Sequence, residues 1–125
     1  MPIREREFAG ETWFWTCRRF KDGLTARLAF NKANSFAADR EGKLDAGCYR
    51  HAPPGEDQRW VTVVSRHRES VKTMEGMLGG SFWPLEDVLV DKLIERRIEV
   101  VSGLRRFDAP PGTYRIPHGK EGMEI

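Results

Sequence analysis

Little in the sequence builds a chemical site on its own. Of 125 residues only two are cysteine and three are histidine. Cys17 and Cys48 form no CxxC pair, and His51, His67 and His118 are scattered, so no spacing matches a zinc site and no metal is expected. Two lone cysteines in a chain of this kind are expected as reduced thiols packed as small hydrophobes. No apolar run approaches the ~20 residues of a membrane span, and the opening Met1-Pro2-Ile3-Arg4-Glu5-Arg6-Glu7 is charged where a signal peptide would be apolar. A cytoplasmic protein with no membrane partner is expected. Neither charge sign dominates: 21 Lys and Arg face 19 Asp and Glu, leaving a formal +2. That balance argues against a nucleic-acid partner, whose phosphates favour strongly basic domains. Gly76-Met77-Leu78-Gly79-Gly80 closes a predicted helix instead of opening one, so it is not a phosphate loop. No Gly-x-Ser-x-Gly or Ser-His-Asp arrangement appears.

What is present is a folding sequence of single-domain length, 39% hydrophobic, 10% aromatic and 32% charged. Residues 11–20 are aromatic and β-branched and predict a strand. One face carries Trp13, Trp15 and Cys17, the other Thr12, Phe14, Thr16 and Phe20, so neither face suits water. A helix follows over about 23–40, ended by Gly42. Two strands at 45–51 and 59–65 form a hairpin across the polar link Ala52-Pro53-Pro54-Gly55-Glu56-Asp57. The second of them, Trp60-Val61-Thr62-Val63-Val64-Ser65, is again apolar on both faces. Val71, Met74, Met77 and Leu78 line a helix starting near Ser65 or Arg66 and stopped by Gly79-Gly80. Another helix is predicted to open at Pro84 and end near Arg97, with acids first and bases last. Ile98-Glu99-Val100-Val101 predicts a last strand. From Asp108 onwards, prolines and glycines predict an irregular tail, 109–125, attached to a domain of 1–108, with one short extended piece at 113–116.

Strand, helix, strand, strand, helix, extra helix, strand is the order of an α+β, ferredoxin-like split βαβ fold. Its crossovers put both main helices on one face of a four-stranded antiparallel sheet. The other face would expose tryptophan and valine, so a homodimer packed through the sheet face is expected.

Gly42-Lys43-Leu44-Asp45-Ala46-Gly47-Cys48-Tyr49-Arg50, the strand Trp60 to Ser65, Arg66-His67-Arg68-Glu69-Ser70-Val71-Lys72, Gly79-Gly80 and the predicted strand at 98–102 together resemble the antibiotic biosynthesis monooxygenase family. The likeness covers roughly residues 10–108 and consists of short, degenerate signals. It implies a dimeric α+β barrel. It also implies one of three standings: a cofactor-free oxygenase for electron-rich aromatics or quinols, a haem-degrading enzyme, or a member with no assigned activity. The family's Trp-x-Ser-x-Glu-like segment at the second helix is altered, His67 standing in the tryptophan place. Strand one lacks the asparagine of the haem-degrading branch, and Met77-Leu78 stand where its histidine belongs. No haem or other cofactor is therefore expected.

His67 is the candidate catalytic base. Arg66 and Arg68 beside it disfavour the imidazolium, and a neutral imidazole could take a proton from an acidic phenol; the alternative is a surface histidine at a helix start. Arg66 and Arg68 could also hold an anion near the helix N-terminus, or simply extend into solvent. Trp13, Trp15, Trp60, Trp83 and Met74 are candidate walls of a pocket for an aromatic or apolar molecule between sheet and helices. Each could equally be a core or interface anchor. A non-catalytic interaction module on the same fold, using the hairpin link and tail as partner surfaces, is the competing expectation. An anion or nucleic-acid binder using the pairs Arg18-Arg19, Arg96-Arg97 and Arg105-Arg106 is the third.

Overall fold

The computed structural model describes residues 3–107, with side chains as far as Gly103; the tail at 109–125 lies outside the described residues. Two strands open the fold. β1 (Arg4–Phe8) and β2 (Glu11–Arg19) form a hairpin through Ala9-Gly10, both at positive φ (51° and 80°), the geometry that matches strand twist in a two-residue turn. α1 (Gly23–Asp39) starts where the Asp22 carboxylate accepts from the Thr25 backbone N–H at 2.8 Å. A single turn, α2 (Glu41–Leu44), leads into β3 (Ala46–His51), which pairs with β4 (Trp60–Ser65). α3 (Arg68–Leu78), β5 (Ser81–Phe82) and α4 (Asp87–Phe107) complete the described chain.

The sheet order is β1-β2-β4-β3, every neighbour antiparallel, with β5 adding two residues beside Arg18 and Arg19 of β2. β4 already occupies the other side of that stretch, so β5 continues the edge that β1 begins. Alternation along the strands divides the core in two. On one face Phe20, Cys48, Val61 and Val63 meet Ala26, Phe30, Ala33 and Ala37 of α1 and Val71, Met74 and Leu78 of α3. On the other, Trp13, Trp15, Cys17, Tyr49, Trp60 and Val64 meet Val90, Leu93 and Ile94 of α4. Cys17 and Cys48 are thus free thiols buried on opposite faces.

Three expectations are corrected. Ile98-Glu99-Val100-Val101 is not a strand but the continuation of α4, and that helix begins at Asp87, three residues beyond Pro84. Its β-branched run favours strand only weakly. The buried stripe Val90, Leu93, Ile94 and Arg97, with Ile98 packed beside it, has helical spacing and prevails. Helices therefore cover both faces of the sheet, and α4 occupies the face on which a second subunit was expected. Among the described residues β1 and β5 bring the sheet to five strands.

α4 crosses the sheet instead of running along it. Near its start Asp91 and Asp87 accept from Arg6 of β1 at 2.8 Å and 3.3 Å. About three turns on from Asp87, Arg97 reaches Asp45 at the head of β3, at 2.9 Å.

This packing predicts an asymmetry within one helix. Ile94→Ala should cost about 2–4 kcal/mol in urea unfolding, as for other buried large-to-small changes. Val88→Ala, at a position 62% exposed, should stay within about 0.5 kcal/mol. Equal losses at the two sites would contradict the crossing described.

Candidate functional site

Because α4 lies toward the end of the sheet that holds Asp45 and Trp13, it leaves the opposite end only partly roofed. There the alternation that buries Trp13, Trp15 and Cys17 brings Arg19 to the same face, beside its strand partner Trp60, which in turn opposes His51. The segment Trp83-Pro84-Leu85-Glu86 arches over this end before α4 begins. Its turn depends on Gly80, whose φ of 72° suits glycine and where a Cβ would stand 2.8 Å from the Arg19 carbonyl oxygen. The result is a cavity of about 670 Å³ between the sheet, the 52–56 link and the flank of α4 that carries Leu89 and Lys92. A smaller hollow of about 330 Å³ lies against Phe20, Lys21 and Phe82 and shares Arg19 and Trp83 with it.

The walls are aromatic and charged in a particular arrangement. Trp60 is buried and meets the half-exposed Trp83 edge-on, ring centroids 6.0 Å apart at 74°. The Arg19 guanidinium carbon lies 5.3 Å from the Trp60 ring centroid and 5.2 Å from that of Trp83, so one cation serves both rings. His51 is buried, with Nε2 hydrogen-bonded to Thr62 Oγ1 at 2.7 Å. Burial holds its imidazole down to about 4, so it is neutral at physiological pH. Thr62 also meets Cys17, whose thiol burial pushes up to about 12 against that hydrogen bond, leaving it protonated and unreactive.

The other end of β4, roughly 17 Å away at 3.3 Å per residue, is an ion cluster around Asp45. This residue takes a left-handed conformation (φ 50°, ψ 52°) as it closes α2. Burial alone would raise its carboxyl, but hydrogen bonds from Arg66 (3.0 Å) and Arg97 (2.9 Å) hold it below the ordinary carboxylate range. Arg97, wholly buried, also donates to both carboxylate oxygens of Glu41.

The expected site residues fall into separate places. His67 is 61% exposed at the head of α3, its Nε2 3.6 Å from Asp45 Oδ2. Arg66 pairs with Asp45 and Glu11 and lies over Trp13, while Arg68 is exposed on the first turn of α3. Trp13 and Trp15 are buried under α4, and Met74, on α3, is buried against α1 and the opposite face of the sheet. Of the group only Trp60 and Trp83 line the cavity. The residues they meet there, Arg19, His51, Leu85 and Leu89, had one signal in the sequence. Counting by twos from Trp13 reaches Arg19 on the tryptophan face. Among the described residues no group of His, Cys, Asp or Glu could hold a metal ion, and no helix is long and apolar enough to cross a membrane.

Comparison with protein-family models, with curated proteins and with solved structures finds no match for this chain.

The state of His51 gives a pH prediction. Its pKa of about 4 lies below the 6.5 of a free imidazole. Between those values the unfolded chain binds a proton that the folded chain excludes, so stability falls as pH drops from 6.5 to 4, by up to about 3 kcal/mol. His51→Gln should lose stability less steeply than wild type across that window in urea unfolding. Parallel curves would mean that the imidazole ionises freely in the fold.

Proposed function

We propose that the chain is a small-molecule-binding α+β domain whose ligand, aromatic or apolar, sits between the sheet and α4 on Trp60 and Trp83. The cavity carries this reading. At about 670 Å³ it falls within the range of roughly 300–1,000 Å³ typical of ligand sites. Its inner wall combines a buried indole, leucines and few polar groups. Binding is favoured over proton abstraction because the imidazole at this place, His51, is a weak base. His67, the candidate base, stands at the far end of β4.

For the fold, the finer reading we favour is a ferredoxin-like split βαβ with its last strand reduced to two residues. The support is the order β5-β2-β4-β3 with α1 and α3 as crossovers, to which β1 and α4 are additions.

The test is a titration of the full chain with 2-naphthol, followed in ¹H–¹⁵N spectra. Shifts should gather at the Trp60 and Trp83 indole N–H groups, His51 and Leu89, and Trp83→Ala should weaken binding about tenfold, the range of one lost stacking partner. Shifts centred on His67 and Arg68, or none at all, would overturn the proposal.

A further inference from the structure

The charges that line the cavity are unequal in their surroundings. Glu56, Glu86 and Lys92 are exposed at its rim, where water screens them. Arg19 is part-buried on the inner wall, and none of the ion pairs of the described residues involves it. Its Nε is buried and has no hydrogen-bond partner among the described residues. A guanidinium has five N–H donors in a fixed fork, and a desolvated donor without an acceptor is costly. The Trp60 and Trp83 faces hold Arg19 in place but accept none of these hydrogen bonds in the plane of the fork.

Three kinds of ligand can be weighed against this wall. A cation would meet aromatic faces whose preference for positive charge Arg19 already satisfies, and would be repelled by it. A neutral ring system would fill the space and leave the buried Nε–H of Arg19 unmet. An anion held by an aromatic body would satisfy both, and a carboxylate matches the guanidinium fork with two parallel hydrogen bonds. One interior cation calls for one negative charge.

Resting on the cavity reading above, we propose that the ligand is an aromatic monocarboxylate. Its ring system packs against Trp60, Trp83 and Leu89, and its carboxylate pairs with the Arg19 guanidinium.

Calorimetric titration of the full chain with three naphthalenes of one shape tests this: 1-naphthoate, 1-naphthamide and 1-naphthylmethylammonium. Naphthoate should bind at least tenfold more tightly than the amide, and the ammonium most weakly. Arg19→Gln should reduce the acid-over-amide preference to less than threefold, while Arg19→Lys keeps part of it. The wild-type Arg19 Nε–H resonance should move with naphthoate and not with the amide, which tests the pairing even if Arg19→Gln does not fold. Amide binding as tight as acid binding would overturn the carboxylate assignment and leave the cavity reading standing. A preference that survives in Arg19→Gln would overturn the role of Arg19. Failure of all three to bind would overturn both.

Discussion

The packing of α4 onto the tryptophan face of the sheet is the interaction on which the rest depends. Trp13, Trp15 and Trp60 lie 2–4% exposed on that face. An indole of that kind removes roughly 150–250 Å² from water, about 4–6 kcal/mol each before ordering entropy is counted. A sheet of strands apolar on both sides cannot leave either to solvent, and α1 and α3 can serve only one. α4 meets the need within the same chain. Since it crosses the strands, its buried stripe seals the end near Asp45 and thins out above Trp60 and His51. The cavity lies where that cover thins, between the aromatic face and the flank of α4 that carries Leu89 and Lys92.

The crossing angle is held by charges at both ends of the covered stretch. The Arg6 pair with Asp91 and Asp87 is solvent-facing and contributes little by itself. Arg97 is different. A guanidinium without solvent exposure is tolerable only because Glu41 and Asp45 are aimed at it, and desolvating the three consumes much of what their attraction returns. Its clearest effect is on position: α4 cannot rotate or slide without stranding the charge. Gly47 belongs to the same arrangement. A Cβ there would stand 2.6 Å from Tyr49 Oη and 3.0 Å from Arg97 Cδ, so glycine leaves the space in which the tyrosine and the arginine pack. Asp45 in turn takes the left-handed conformation that asparagine and aspartate tolerate best after glycine.

Much of this was legible in the residues, and the failures have physical causes. β2, α1, β3, β4 and α3 follow from alternation, helical spacing and the Pro-Pro-Gly link, each of which acts locally. That β2 and β4 need cover on both faces was also legible. The nature of the second cover was not, because β-branched Ile98, Val100 and Val101 suggest a strand until the sheet that they must pack against is known. β1 was hidden for a different reason. Arg4-Glu5-Arg6-Glu7 has no apolar alternation, since an edge strand protected by charge needs none. Of the cavity, Trp60 and Trp83 could be named from their type. Arg19 looked like surface charge beside Arg18, and only the register that sets it against Trp60 separates the two: Arg18 reaches the other way, to Glu75 and the Gly79 carbonyl.

The two ends of β4 consequently do different work, and that division bears on how far a site can change. Asp45, Arg66 and Arg97 hold α4 and the strand ends in register from one end, through short, directional bonds. Arg19, Trp83, Leu85 and Leu89 at the other end join no such network, and Trp83 remains 40% exposed. Residues well separated and without shared partners contribute nearly additively to stability. Substitution at the cavity should therefore alter what fits there without loosening the clamp that forms it. Arg19, in none of the ion pairs of the described residues, is sustained in that setting because the opposite end of the sheet carries the burden of holding the helix.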